Sequence, residues 1–159
     1  MNLFRSTILI LIFGASILGC GVSPDQNSPP EIYYGEDVCV ECGMIITEPK
    51  FAAAYYTPDG EAKIFDDLGG LCIHYLEHED EAANIWAHDY ETEEWIDAVE
   101  ATFVVADQIY TPMAFGIVAF EEDDVAVEFA EIMDGDHMGF DGFLMQCQMM
   151  IGDQDHDMD

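Results

Sequence analysis

Two cysteines and a methionine stand within six residues, Cys39-Val40-Glu41-Cys42-Gly43-Met44. Thiolate and thioether together are soft ligands that fit Cu(I), whereas calcium would prefer oxygen donors. A methionine cannot be lost to a disulfide, so Met44 stays available as a ligand under oxidising conditions. Met113 is a further candidate: it lies in Thr111-Pro112-Met113-Ala114-Phe115-Gly116, a loop-like stretch where an apolar side chain has less structural reason to be, although methionine more often fills cores.

Other chemistries compete for the same residues. Cys39 and Cys42 have the spacing of a zinc knuckle or a thiol-disulfide motif. A structural zinc site normally has a second close pair of ligands, however, and Cys72 and Cys147 each stand alone. A thioredoxin-like pair would open a helix after a strand, whereas Gly43 and an extended-looking Ile45 to Pro49 follow Cys42. A plain structural disulfide between Cys39 and Cys42 is the third alternative. Cys72 reads as a buried thiol on an apolar helix face. His74 and His78, four apart, have a metal-binding spacing but read as a solvated face. Met138, Met145, Met149, Met150 and Met158, with His137, Cys147 and His156, make the C-terminus rich in soft donors. Either they collect copper loosely, or Met145 and Met149 are one side of a short amphipathic segment. No Gly-rich phosphate loop, serine elbow or paired-histidine protease motif suggests an enzyme.

The N-terminus indicates export. Arg5 precedes an apolar run from Ile8 to Leu18, of signal-peptide length, ending at Ile17-Leu18-Gly19-Cys20-Gly21. This resembles a bacterial lipobox, which makes residues 1–19 a signal peptide and Cys20 a lipidated first residue that holds the protein at a membrane, facing the periplasm or cell exterior. Without residues 1–19, 34 acids face only Lys50 and Lys63, a formal charge of −32. That balance excludes nucleic acid and anionic lipid surfaces as partners and points to a halophilic source, where salt screens self-repulsion.

Half of the residues are apolar or aromatic, enough for a core. Gly21 to Pro30 reads as a tether, closing at residue 31. Phe51 to Tyr56 and Ala62 to Phe65 flank the turn Thr57-Pro58-Asp59-Gly60, predicting a hairpin. Asp66 and Asp67 then cap a helix whose buried face holds Leu68, Leu71, Cys72, Tyr75 and Leu76, and Ile85-Trp86-Ala87 returns as a strand. The order recurs with Ala101 to Val105, Gly116 to Phe120 and a helix from Glu121 through Met133. The expected fold is therefore α+β, two related ββαβ-type units at 32–98 and 99–151. From Asp134 onward, glycines 135, 139, 142 and 152 weaken regular structure, and 152–159 should be a disordered tail.

Cys42-Gly43-Met44, Phe51-Ala52-Ala53, Phe65-Asp66-Asp67-Leu68-Gly69, Trp95-Ile96-Asp97-Ala98, Thr111 to Gly116 and Ala119-Phe120 occur in an order and spacing that resembles the NosL family. The resemblance covers most of residues 38–145. It implies a small lipoprotein acting as a copper chaperone in maturation of nitrous oxide reductase, with two α+β units distantly similar to organomercurial lyase. It further implies delivery of Cu(I) toward the tetranuclear copper-sulfide centre, with NosD and its NosF–NosY transporter as partners. The family's metal motif falls on Cys42 and Met44, and its second methionine motif on Met113. Cys39 adds a thiol to that pattern and is the fourth candidate ligand. The alternatives are a thiol-disulfide oxidoreductase acting through Cys39 and Cys42, or a zinc-stapled interaction module.

Overall fold

The computed structural model describes residues 25–78, 82 and 84–154; the signal segment, Cys20, His156 and Met158 lie outside them. The hairpin forms as the turn chemistry dictates, β1 (Ala53–Tyr56) against β2 (Ala62–Phe65), with Ala53 opposite Phe65 and Tyr56 opposite Ala62. Helix α1 (Leu68–Glu77) follows, and β3 (Ile85–His88) returns antiparallel to β1, with β4 (Trp95–Asp97) on its outer edge. The sheet order is β2-β1-β3-β4.

The second unit repeats this plan. β5 (Thr102–Val105) pairs with β6 (Ile117–Phe120), α2 (Asp123–Met133) crosses over, and β7 (Asp136–Met138) adds to β5, in the order β6-β5-β7. The fold is α+β, built from two antiparallel ββαβ units. Alternation along the strands divides the second sheet. Phe103, Ile117 and Ala119 enter a core shared with the first unit, while Val104, Val118 and Phe120 pack with Ala126 and Ala130 of α2.

Asp89 ties the units together. Its backbone bridges to Ala119, and its carboxylate accepts the Glu121 N–H at 2.9 Å together with the N–H groups of Glu91 and Thr92. Burial pushes its pKa up, but these donors outweigh burial and hold it below the ordinary carboxylate value.

The glycine-rich end differs from expectation. Residues Phe140–Gln154 form α3, the longest helix among the described residues, and Gly142 and Gly152 lie within it. Tertiary packing overrides propensity here: Phe143 stacks on Phe103 at 4.2 Å between ring centroids, and Cys147 is fully buried against α1. Residues 155–159 of the expected tail lie outside the described residues.

Candidate metal centre

Cys39 and Cys42 sit on a tight turn. The Gly43 N–H donates to the Cys39 carbonyl at 3.0 Å and the Cys39 N–H to the Met44 carbonyl at 2.8 Å; Gly43 has φ +74°, a conformation that favours glycine. A Val38–Ile45 bridge closes the turn's base, and the Val40 N–H donates to the Ile64 carbonyl of β2 at 3.0 Å. That last bond brings the thiols to the end of β2, where Asp66 begins the crossover into α1.

The result is a cluster of three donors. One ligand atom each from Cys39, Cys42 and Asp66 lie within 4.8 Å of one another, and the Cys42 thiol donates to the Asp66 carboxylate at 3.4 Å. Cys39 is fully buried, and Cys42 is partly exposed. Burial pushes the Cys39 thiol up to about 12, while the backbone N–H groups of Cys42 and Asp66, which donate to its sulfur, pull the other way. Those N–H groups would stabilise a thiolate once a cation replaces the proton. The sulfurs suit a soft monovalent ion, and the carboxylate adds charge and a harder donor.

Sequence reasoning assigned Asp66 and Asp67 alike to helix capping, and the structure separates them. Asp67 is the N-cap, extended at φ −151°, with its carboxylate accepting the Gly69 N–H at 2.8 Å. Asp66 precedes it and faces the thiols instead. The extended backbone sends successive side chains to opposite sides, and this alternation was the signal available in the sequence.

Asp67 also holds the loop of Met113. Its second oxygen accepts the Met113 N–H at 2.9 Å, and the Thr111 hydroxyl donates to the same carboxylate. Burial raises its pKa above the ordinary value, with these hydrogen bonds opposing. The loop lies on the glycines of α1. A Cβ at Gly69 would run into the Phe115 ring, and one at Gly70 would sit 2.7 Å from the Met113 sulfur and 3.9 Å from the Glu41 Cβ. Met113 is therefore seated between the first turn of α1 and the thiol turn. Met44 contributes its carbonyl to that turn and leaves its side chain 41% exposed, beside exposed Val38, Val40 and Ile45.

Two readings of single residues are corrected. His74 is not on a solvated face: it is 8% exposed, donates from Nδ1 to the Glu41 carboxylate at 2.8 Å and stacks on His78 at 4.1 Å. α1 is wedged between the thiol turn, β1 and α3, so more of its circumference is covered than an amphipathic pattern implies. Cys72 and Cys147 are not isolated thiols. They form a disulfide across 75 residues, with Cα atoms 6.0 Å apart, joining α1 to α3. That bond removes two of the four thiolates a closed zinc cage would need, and leaves Cys39 and Cys42 as the free thiols among the described residues.

The NosL family model matches residues 32–149. The copper-binding lipoprotein NosL of Stutzerimonas stutzeri is 26% identical over 153 residues, covering 85% of this chain and 77% of its own. The crystal structure of the copper chaperone NosL from Shewanella denitrificans superposes with a TM-score of 0.63 at 23% identity, over 72% of this chain and 93% of that one, a similarity of fold. A match through both ββαβ units, the thiol turn and the Met113 loop places the chain plainly: it belongs to the NosL family.

Proposed function

We propose that this protein is a lipid-anchored, exported Cu(I) carrier that delivers copper for assembly of the copper-sulfide centre of nitrous oxide reductase. The observation that carries the reading is the gathering of the Cys39 and Cys42 sulfurs with Asp66, within 4.8 Å, while the other two cysteines among the described residues are paired. Relatives described as a copper-binding lipoprotein and a copper chaperone support it, as do the lipobox around Cys20 and the donor types, which favour Cu(I) over Cu(II).

The geometry suits a carrier rather than a store. Cys42, the accessible thiol, meets the ion first; Cys39 completes the hold from inside, and Met113 adds a neutral thioether. Met44 is exposed on the same turn and can swing in. Few ligands, one face open, let an acceptor take the ion by stepwise ligand exchange. The apolar rim of Val38, Val40, Met44 and Ile45 offers a docking surface for that acceptor, which we assign to NosD with its NosF–NosY transporter. A thioredoxin-like redox site is disfavoured, since the pair sits on a turn closed by the Val38–Ile45 bridge rather than at the start of a helix.

The test is an anaerobic Cu(I) competition titration of the chain from residue 21, in molar sulfate to screen its charge without the copper-binding chloride. Cys42→Ser, Met44→Leu and Met113→Leu variants run beside it, with a zinc titration. Tight one-to-one Cu(I) binding weakened by Cys42→Ser and Met113→Leu is expected. Preference for zinc, or disulfide reductase activity that disappears with Cys39→Ser but survives Met44→Leu and Met113→Leu, would instead favour the alternatives.

A further inference from the structure

Of the apolar residues on α3, Phe140, Phe143, Leu144, Cys147, Met150 and Ile151 all pack into or against the core. Met145 and Met149 do not: they are 59% and 60% exposed. They are one turn apart, and each lies about 200° round the helix from Cys147, on the side away from the disulfide. The pair is one side of an amphipathic helix, and it is the side that faces solvent, although methionine is normally a residue of interiors.

We infer that Met145 and Met149 form a second, solvent-facing Cu(I) site, distinct from the cysteine cluster. At i and i+4 the Cβ atoms are about 5–6 Å apart, so the two flexible thioethers can close on one ion from opposite sides. A d10 monovalent ion is content with two soft neutral ligands, leaving a position open to an incoming donor. Asp141, exposed one turn before Met145, and a chain of formal charge −31 raise the local cation concentration. The ligands are also chemically apt for the setting. The Cys72–Cys147 disulfide lies on the opposite face of the same helix, and a thioether survives conditions that join thiols. Two neutral ligands hold copper far more weakly than a dithiolate, so the site collects and exchanges ions rather than storing them.

The test uses the full mature chain carrying Cys39→Ser and Cys42→Ser, labelled with 13C in the methionine methyl groups, titrated anaerobically with Cu(I). The Met145 and Met149 methyl resonances should shift together and saturate near one equivalent, with no shift on adding zinc. Met145→Leu or Met149→Leu should each weaken binding about tenfold or more. Both side chains are exposed, so the leucine variants keep the fold. In the cysteine-intact protein the same resonances should move with the second equivalent of Cu(I), after the first. Unmoved methyl signals, or copper binding unchanged in the double leucine variant, would overturn the site. Because the thiols are absent from the principal sample, neither result depends on whether Cys39 and Cys42 carry copper.

Discussion

Glu41 and His74 are joined by a 2.8 Å hydrogen bond from imidazole Nδ1 to carboxylate, and this bond clips the thiol turn to the flank of α1. Glu41 stands between the two cysteines, so the orientation of the turn depends on it. Glu41→Ala leaves a buried imidazole N–H without its partner, at a cost of about 1–3 kcal/mol. Denaturant unfolding should register that loss, and stopped-flow transfer to a chelator should run faster. Glu41→Gln, which keeps an acceptor oxygen, should retain most of both. Transfer from Glu41→Ala at the parent rate would mean that the turn keeps its shape without the clip.

Gly70→Ala separates packing from propensity. Alanine is intrinsically better in a helix by about 1 kcal/mol, yet its Cβ would come within 2.7 Å of the Met113 sulfur. The flexible methionine moves, so stability should change by less than about 1 kcal/mol. The Cu(I) affinity should nevertheless fall, as in Met113→Leu. Gly69→Ala meets the Phe115 ring instead, and should lower the melting temperature as well.

Removing the disulfide should destabilise the fold and spare the thiol cluster. In the loop-entropy account a bond closing 75 residues contributes about 4 kcal/mol. Cys72→Ala with Cys147→Ala should lower the denaturant midpoint accordingly while leaving Cu(I) stoichiometry at Cys39 and Cys42 intact. Loss of copper binding by the folded double variant would tie the two features together.

Acid sensitivity should begin at His88. Burial lowers its pKa below the ordinary 6.5, opposed by its Nδ1–H bond to the Glu93 carbonyl at 2.8 Å. Nε2 accepts the Tyr34 hydroxyl, and the ring lies 3.8 Å from Trp95. The unfolded chain therefore takes up the proton first. The stability is whole above about pH 6.5 and is lost as pH falls from there through the folded-state value. Denaturation from pH 8 to 5 should show that slope, and His88→Gln should flatten it while lowering stability at every pH. Asp89 has the same sign but a lower window, beneath 3.8.

The units were legible because their signals are local. Thr57-Pro58-Asp59-Gly60 sets a hairpin register, and a strand ending in Phe followed by acids marks both crossovers. That Cys39 and Cys42 stand close together was legible from their spacing alone. What sequence could not give was pairing at a distance. Nothing near Cys72 identifies Cys147 as its partner, just as nothing near His74 points to Glu41. α3 was hidden for a related reason: Gly142 and Gly152 argue against a helix, and only the buried contacts of Phe143 and Cys147 reverse the balance. Asp66 lay in plain view but shared its motif with a better-known role.

α1 starts at the Asp67 carboxylate, which also suspends the Met113 loop, and midway along its length it is bonded covalently to α3. The helix is thus a short lever with the thiol turn and the Met113 loop at one tip and a fixed bolt at its middle. A cargo that pulls the thiol turn or the methionine loop inward therefore loads the whole rod. Through the Cys72–Cys147 bond that load reaches α3, the last helix among the described residues.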